Sequence, residues 1–223
     1  MKKFELTAEF VTNVFGKKLF RIKALVAFGN VEKGELGGFI EKEENLSNNG
    51  SAWVSGDALV SGDALVYGNA LVYGNALVYG NAQVYGNAWV SGNAQVYGDA
   101  WVCGNARVSG DAQVSGNAWV SGDARVCGKA QVSGKAQVSG DAQVSGNADY
   151  AVVAGFGRYF RTTTFFRCKD KILRVQCGCF YGDLAQFREI VKKTHGDSKY
   201  AKEYLAIADL MELHFSDECG GEK

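Results

Sequence analysis

The chain runs to 223 residues, 47% of them hydrophobic, which is enough apolar material to bury a core without disulfide staples and excludes a chain that stays unfolded. Lysine plus arginine and aspartate plus glutamate stand at 24 each, so no global field selects nucleic acid or imitates it, and any polarity must be local. No apolar run approaches the ~18 residues of a membrane span, and the opening MKKFELTAEF lacks the apolar core of a secretion signal, so we expect a soluble cytoplasmic protein with no membrane partner.

Residues 1–51 contain KKLFRIKALVAF, an alternating to continuous apolar run that reads as strand. Gly37-Gly38-Phe39-Ile40-Glu41 and Glu43-Glu44-Asn45-Leu46-Ser47 then lead into a long repeat. The physical reading of this segment is a cap that closes the open end of whatever the repeat builds.

From Ala52 to Asn147 the sequence is sixteen uninterrupted hexads of the form A-x-V-x-G-(N/D/K), and alanine and valine never miss. A period of six excludes an amphipathic helix and predicts a solenoid of short parallel strands. Ala and Val of A-x-V share the inner face, the middle residue points out, and x-G-(N/D) makes the corner. Glycine takes positive φ freely, and Asn or Asp is expected to follow it because these side chains tolerate that region best, an advantage Lys129 and Lys135 lack. The chain has no proline, which suits coils that use their backbone donors throughout.

The valine and the alanine four residues later, repeated by sixes over 96 residues, resemble the hexapeptide-repeat superfamily. That resemblance implies a left-handed parallel β-helix with three hexads per triangular coil, hence about five coils and a length of roughly 25 Å. The stretch Gly37–Ser47 resembles the leader that precedes such hexads in phage and prophage members. The expected architecture is therefore mainly β: an N-terminal β cap (1–51), a β-helix (52–148) and a C-terminal α+β module (149–223).

With three hexads per coil, residues 18 apart share a column. The outward columns are Trp53, Leu71, Trp89, Arg107, Arg125, Gln143; then Leu59, Leu77, Gln95, Gln113, Gln131; then Leu65, Gln83, Trp101, Trp119, Gln137. Tyr67, Tyr73, Tyr79, Tyr85 and Tyr97 flank the corners. The early coils thus present aromatic and apolar residues, and the later ones Gln, Ser, Arg and Lys. Exposed ladders of this kind mark an interface, so Trp53, Leu71, Trp89, Trp101, Trp119, Tyr73 and Tyr79 are candidates for a homo-oligomer, dimer or trimer, or for a foreign partner. The alternative is intramolecular cover by residues 1–51. Trp101 over Trp119 is the candidate anchor pair. Asp123 over Asp141 could accept a cation or be a solvated corner, whereas Asp111 beneath Lys129 is a compensated pair.

Beyond Ala148 the period stops. Thr162–Lys169 and Ile172–Cys177 around Lys169-Asp170-Lys171 read as a hairpin. Asp183 with Gln186 opens a helix, with Leu184, Phe187, Ile190 and Val191 on one side, that ends at His195-Gly196. A second helix from about Ser198 carries Tyr200, Tyr204, Ile207 and Met211 at helical spacing. TTTFFRCKDKILRVQCGCFYGDLAQF resembles a C-terminal module of phage-encoded proteins. Arg158, Arg161, Arg167, Lys169, Lys171 and Arg174, interleaved with Tyr159, Phe160, Phe165 and Phe166, are candidates for an anionic ligand, a nucleotide or single-stranded nucleic acid. The alternative is a hairpin packed on one face and solvated on the other.

Six cysteines, Cys103, Cys127, Cys168, Cys177, Cys179 and Cys219, are spaced unevenly and fit reduced thiols. Cys168, Cys177 and Cys179 with His195 or His214 hold the atoms of a zinc site but lack paired ligand spacing, so no metal or cofactor is expected. Acyltransferases of the superfamily use a coil-borne histidine and acyl-CoA, and residues 52–147 contain no histidine. The expectation is a non-catalytic, phage- or prophage-encoded binding or scaffold protein that engages a host protein or a small anionic ligand against host defence. The alternative is an acyltransferase-like enzyme using acyl-CoA.

Overall fold

The computed structural model describes residues 2–216; Cys219 lies outside them. The sixteen hexads form sixteen two-residue strands, from β4 (Trp53–Val54) to β19 (Gln143–Val144). Every hexad alanine and valine is buried, none more than 1% exposed. Removal of a valine side chain from water stabilises by roughly 1.5–3 kcal/mol, so the lining alone accounts for their invariance. The strands stack in three parallel sheets, and partners are 18 residues apart: Trp89 lies between Leu71 and Arg107, Gln95 between Leu77 and Gln113, and Trp101 between Gln83 and Trp119. The three predicted columns are the outward faces of these sheets.

The corner glycine meets two demands. Gly86 has φ 72°, and a Cβ there would sit 3.0 Å from the backbone nitrogen of Gly104 in the next coil. The residue after it is explained differently from the sequence expectation. Among the described residues only Phe160 and Lys171 are non-glycine residues with positive φ, so the corner Asn and Asp are not in the left-handed region. They form amide ladders instead. Asn69 Nδ2 donates to Asn87 Oδ1 at 3.1 Å, Asn87 to Asn105 at 3.1 Å, and Asn105 to the Asp123 carboxylate at 2.9 Å. Lys129 and Lys135 therefore fit the corner without backbone strain.

The N-terminal segment contributes more than a cap. β1 (Phe4–Thr12), β2 (Lys18–Ala24) and β3 (Leu36–Ile40) form an antiparallel meander, and β3 then pairs in parallel with the first coil, Phe39 beside Leu59 and Ile40 beside Val60. Six residues after Ile40, Leu46 bridges to Val66. Gly38 takes the alanine place, since a Cβ there would already lie 2.7 Å from the Ala58 carbonyl. The leader is thus two sides of a coil. Sixteen hexads make five and a third turns, and these two sides bring the solenoid to about six. Phe4 and Ile22 fill its open end.

After a 3₁₀ turn at Asn147–Asp149 the chain forms a four-stranded antiparallel sheet, β20 (Tyr150–Phe156), β21 (Arg161–Arg167), β22 (Leu173–Cys177) and β23 (Phe180–Asp183), in sequence order. Two helices follow, α1 (Leu184–His195) and α2 (Lys199–Phe215). The hairpin is the predicted one. Asp183 and Gln186 make the predicted capping box, with bonds of 2.8 and 3.0 Å, and Ser198 caps α2. Ile190 and Tyr200 are each 37% exposed, so the buried stripes are narrower than the spacing implied. Adjacent residues of β21 serve different cores: Phe166 plugs the last coil, and Phe165 packs with Val175 and Phe187 under the helices. Among the described residues no helix is long and apolar enough to cross a membrane.

Candidate binding faces

The middle residue of each A-x-V decides what a face offers, and the three faces differ. On the first, the N-terminal meander covers Trp53, which is 3% exposed with its ring edge-on to Phe28 at 5.4 Å. Leu71 packs partly against the core, Tyr73 lies edge-on to Trp89 at 6.5 Å, and the Arg107 guanidinium sits over the Trp89 ring at 4.3 Å. Trp53 is therefore enclosed by the chain's own N-terminal segment.

The second face is overhung by the tip of the β1–β2 hairpin. Phe15 approaches Tyr79 at 6.3 Å, Tyr79 stacks on Tyr97 at 4.9 Å, and Val14, Phe15, Leu59, Leu77 and Tyr79 help enclose a groove of 420 Å³. Val14 at the tip is 94% exposed.

The third face is the open one. Leu65, Trp101 and Trp119 are 38%, 39% and 41% exposed, and the two indoles meet edge-to-face at 5.7 Å. Trp119 Nε1 donates to Cys103 Sγ at 3.1 Å, and Tyr85 lies edge-on to Trp101 at 6.3 Å and stacked on Tyr67 at 4.8 Å. Burial, then the neighbouring Cys103, pushes the Tyr85 phenol up, so it stays neutral. The seven residues predicted as one interface are thus distributed over all three faces. Among the seven, Trp101 and Trp119 pair with both indoles exposed.

The six predicted anion-binding residues are also separated. Arg158 and Arg161 flank the Tyr159 ring at 5.6 and 5.1 Å in the β20–β21 turn, where Tyr159 and Phe160 are 63% and 74% exposed. Lys169, Lys171 and Arg174 lie at the other end of β21, and Arg174 is paired with Asp170 at 2.6 Å. Arg167 donates to the Phe215 carbonyl at 2.9 Å. Phe165 and Phe166 are fully buried, one on each side of the sheet, so they cannot stack on bases. Both faces of β21 are packed, a case the sequence reading did not consider.

The thiols do not converge. Cys168 is buried at the solenoid end, where burial and then Asp141 push it up to about 12, while Cys177 bonds Thr163 and Cys179 is exposed. His195 packs against Tyr204 at 5.8 Å and His214 against Phe215 at 4.9 Å. Among the described residues no three His, Cys, Asp or Glu side chains are placed to hold a metal. Asp141 instead accepts from Tyr181 at 3.2 Å, and Asp123 from Asn105. What sequence reasoning missed is the set of end-capping groups, Lys3, Asn45 and Thr164, whose roles depend on contacts far along the chain.

Residues 64–80, 82–98, 100–116 and 112–128 match the family model described as the YdcK beta solenoid repeat. No curated protein matches the chain. The first three matched segments begin 18 residues apart, one segment per turn of three hexads. The sheet pairing and this match together make the central part of the chain a repeat β-solenoid.

Proposed function

We propose that the protein is a non-catalytic binding scaffold in which the third face joins one copy of the chain to another. The observation that carries this is the exposed Trp101–Trp119 pair on a column, Leu65 to Gln137, that contains no charged side chain. Two identical copies can meet there without like-charge repulsion, and paired indoles supply the large desolvated anchors on which interfaces depend. The C-terminal unit presents Arg158 and Arg161 around Tyr159, and this part of the basic set is the proposed site for a small anionic ligand. The resemblance of Gly37–Ser47 to phage leaders supports a phage or prophage origin and action on a host factor in the bacterial cytoplasm. A non-catalytic reading is favoured because the solenoid carries no imidazole to serve as general base.

Light scattering tests the association directly. The wild-type chain is expected at the mass of a dimer or trimer, and Trp101→Lys with Trp119→Lys at that of a monomer with an unchanged circular dichroism spectrum. A monomeric wild type overturns the association, and a rise in melting temperature with acetyl-CoA would favour a transferase instead.

A further inference from the structure

We propose that Arg107 and Arg125 on the first face form a binding site for a phosphate-bearing small molecule, with one phosphate group bridging the two guanidinium groups. This goes beyond the scaffold reading and holds whether or not copies associate. Sheet register sets the two arginines directly opposite each other on neighbouring parallel strands. Like charges in that relation repel. By contrast Lys129 stands over Asp111, one turn apart, while Asp123 over Asp141 is a second like-charge pair at a corner. Among the described residues neither arginine makes an ion pair. The nearby acid is Asp123, and it is already the acceptor that ends the Asn69–Asn87–Asn105 ladder, at 2.9 Å from Asn105.

The pair is also prearranged. Arg107 lies over the Trp89 ring at 4.3 Å, and Asn87, Trp89, Asn105, Arg107, Asp123 and Arg125 line a groove of 360 Å³. That volume falls in the range of small-ligand sites. Two guanidinium groups against one carboxylate leave the groove cationic. A planar carboxylate is satisfied by a single guanidinium, whereas a tetrahedral phosphate offers oxygens to donors from two successive coils. Trp89 and the amide ladder line the same groove and would face whatever the phosphate carries.

Inorganic phosphate is the probe, read by ³¹P line broadening and by melting temperature at low salt, with a nucleoside monophosphate as a second arm. Phosphate should broaden and raise the melting temperature of the wild type. Arg107→Gln and Arg125→Gln should each weaken the response about tenfold or more, the loss expected for a charged hydrogen bond. Arg158→Gln with Arg161→Gln removes the other proposed anion site, so the titrations are repeated in that background, where a response that depends on Arg107 and Arg125 should remain; this separates the site from the scaffold reading. Without phosphate, Arg125→Gln should melt at or above the wild type, because repulsion is relieved. A wild type that ignores phosphate, a response that is lost with Arg158 and Arg161 alone, one that survives both Arg107→Gln and Arg125→Gln in the background lacking Arg158 and Arg161, or an Arg125→Gln protein that melts lower without phosphate, would each overturn the assignment.

Discussion

Lys3 places a cation where water hardly reaches. It is 3% exposed, with Nζ 2.8 Å from the Ala52 carbonyl, 3.5 Å from that of Gly50 and 4.7 Å from the centre of the Phe28 ring. Carbonyl groups and a ring face attract the charge, but burial outweighs them and pulls its pKa from 10.5 to about 8. The folded chain then releases this proton before the unfolded chain does. From pH 8 to about 10 the unfolded state binds more protons, so this group makes stability rise with pH; the cost of the buried charge is fully present below pH 8. Other groups titrate nearby, among them Tyr204 and Cys168, each pushed up to about 12, and these work in the opposite direction above pH 9. The comparison is therefore with Lys3→Met, which keeps the stem and drops the charge. Denaturant unfolding across pH 7–10 should give wild type a stability that gains on the variant as pH rises, and parallel curves would show that Lys3 is not desolvated.

A coil is the smallest element with a role of its own, and its needs explain what could and could not be read from the chain. Sixteen hexads share one environment, so alanine and valine recur without error and the face of every outward residue follows from counting. The leader escaped because eight residues, not six, separate Leu46 from Val54, and because Gly38 stands where alanine belongs. β21 misled for another reason. A strand buried on both sides presents Phe165 and Phe166 in succession, and sequence pattern alone cannot assign them to two cores. Thr164, fully buried between them and Thr163, accepts the Gln137 backbone N–H of the last coil at 2.9 Å. Thr164→Val preserves volume and removes that acceptor. It should cost about 1–3 kcal/mol in urea unfolding, the penalty of a buried donor left unmet, whereas Thr164→Ser should cost less than half as much. Equal losses would mean that Thr164 matters for packing only.

The solenoid as a whole is polar, and its two ends have opposite needs. Along the stack each coil donates backbone N–H groups to carbonyls of the following coil, as Leu71 does to Ala88 at 2.9 Å and Tyr73 to Val90 at 3.0 Å. The first coil is therefore left with carbonyls to satisfy and the last with N–H groups. The N-terminal segment supplies donors: Phe39 N to Ala58, Glu41 N to Val60, Asn45 Nδ2 to Ala64, and the Lys3 ammonium to Ala52. The C-terminal segment supplies acceptors: Asn147 Oδ1 for Gln131 N, Thr164 Oγ1 for Gln137 N, and Asp149 Oδ2 for Ser145 N. An ammonium, which can only donate, suits one end, and carboxylate and hydroxyl acceptors suit the other. Each end without its cap is an unpaired parallel edge over an open apolar core, the condition under which strands recruit other chains. A chain ending at residue 148 loses Thr164, Phe166 and the whole covering sheet, and should associate end to end. Light scattering on this truncation in the Trp101→Lys, Trp119→Lys background, where face-to-face contact is already broken and the N-terminal cap is kept, should reveal end-to-end dimers that the full-length double variant does not form. A truncated chain that stays monomeric and folded would show that the last coil closes itself, and that the C-terminal unit serves a purpose other than capping.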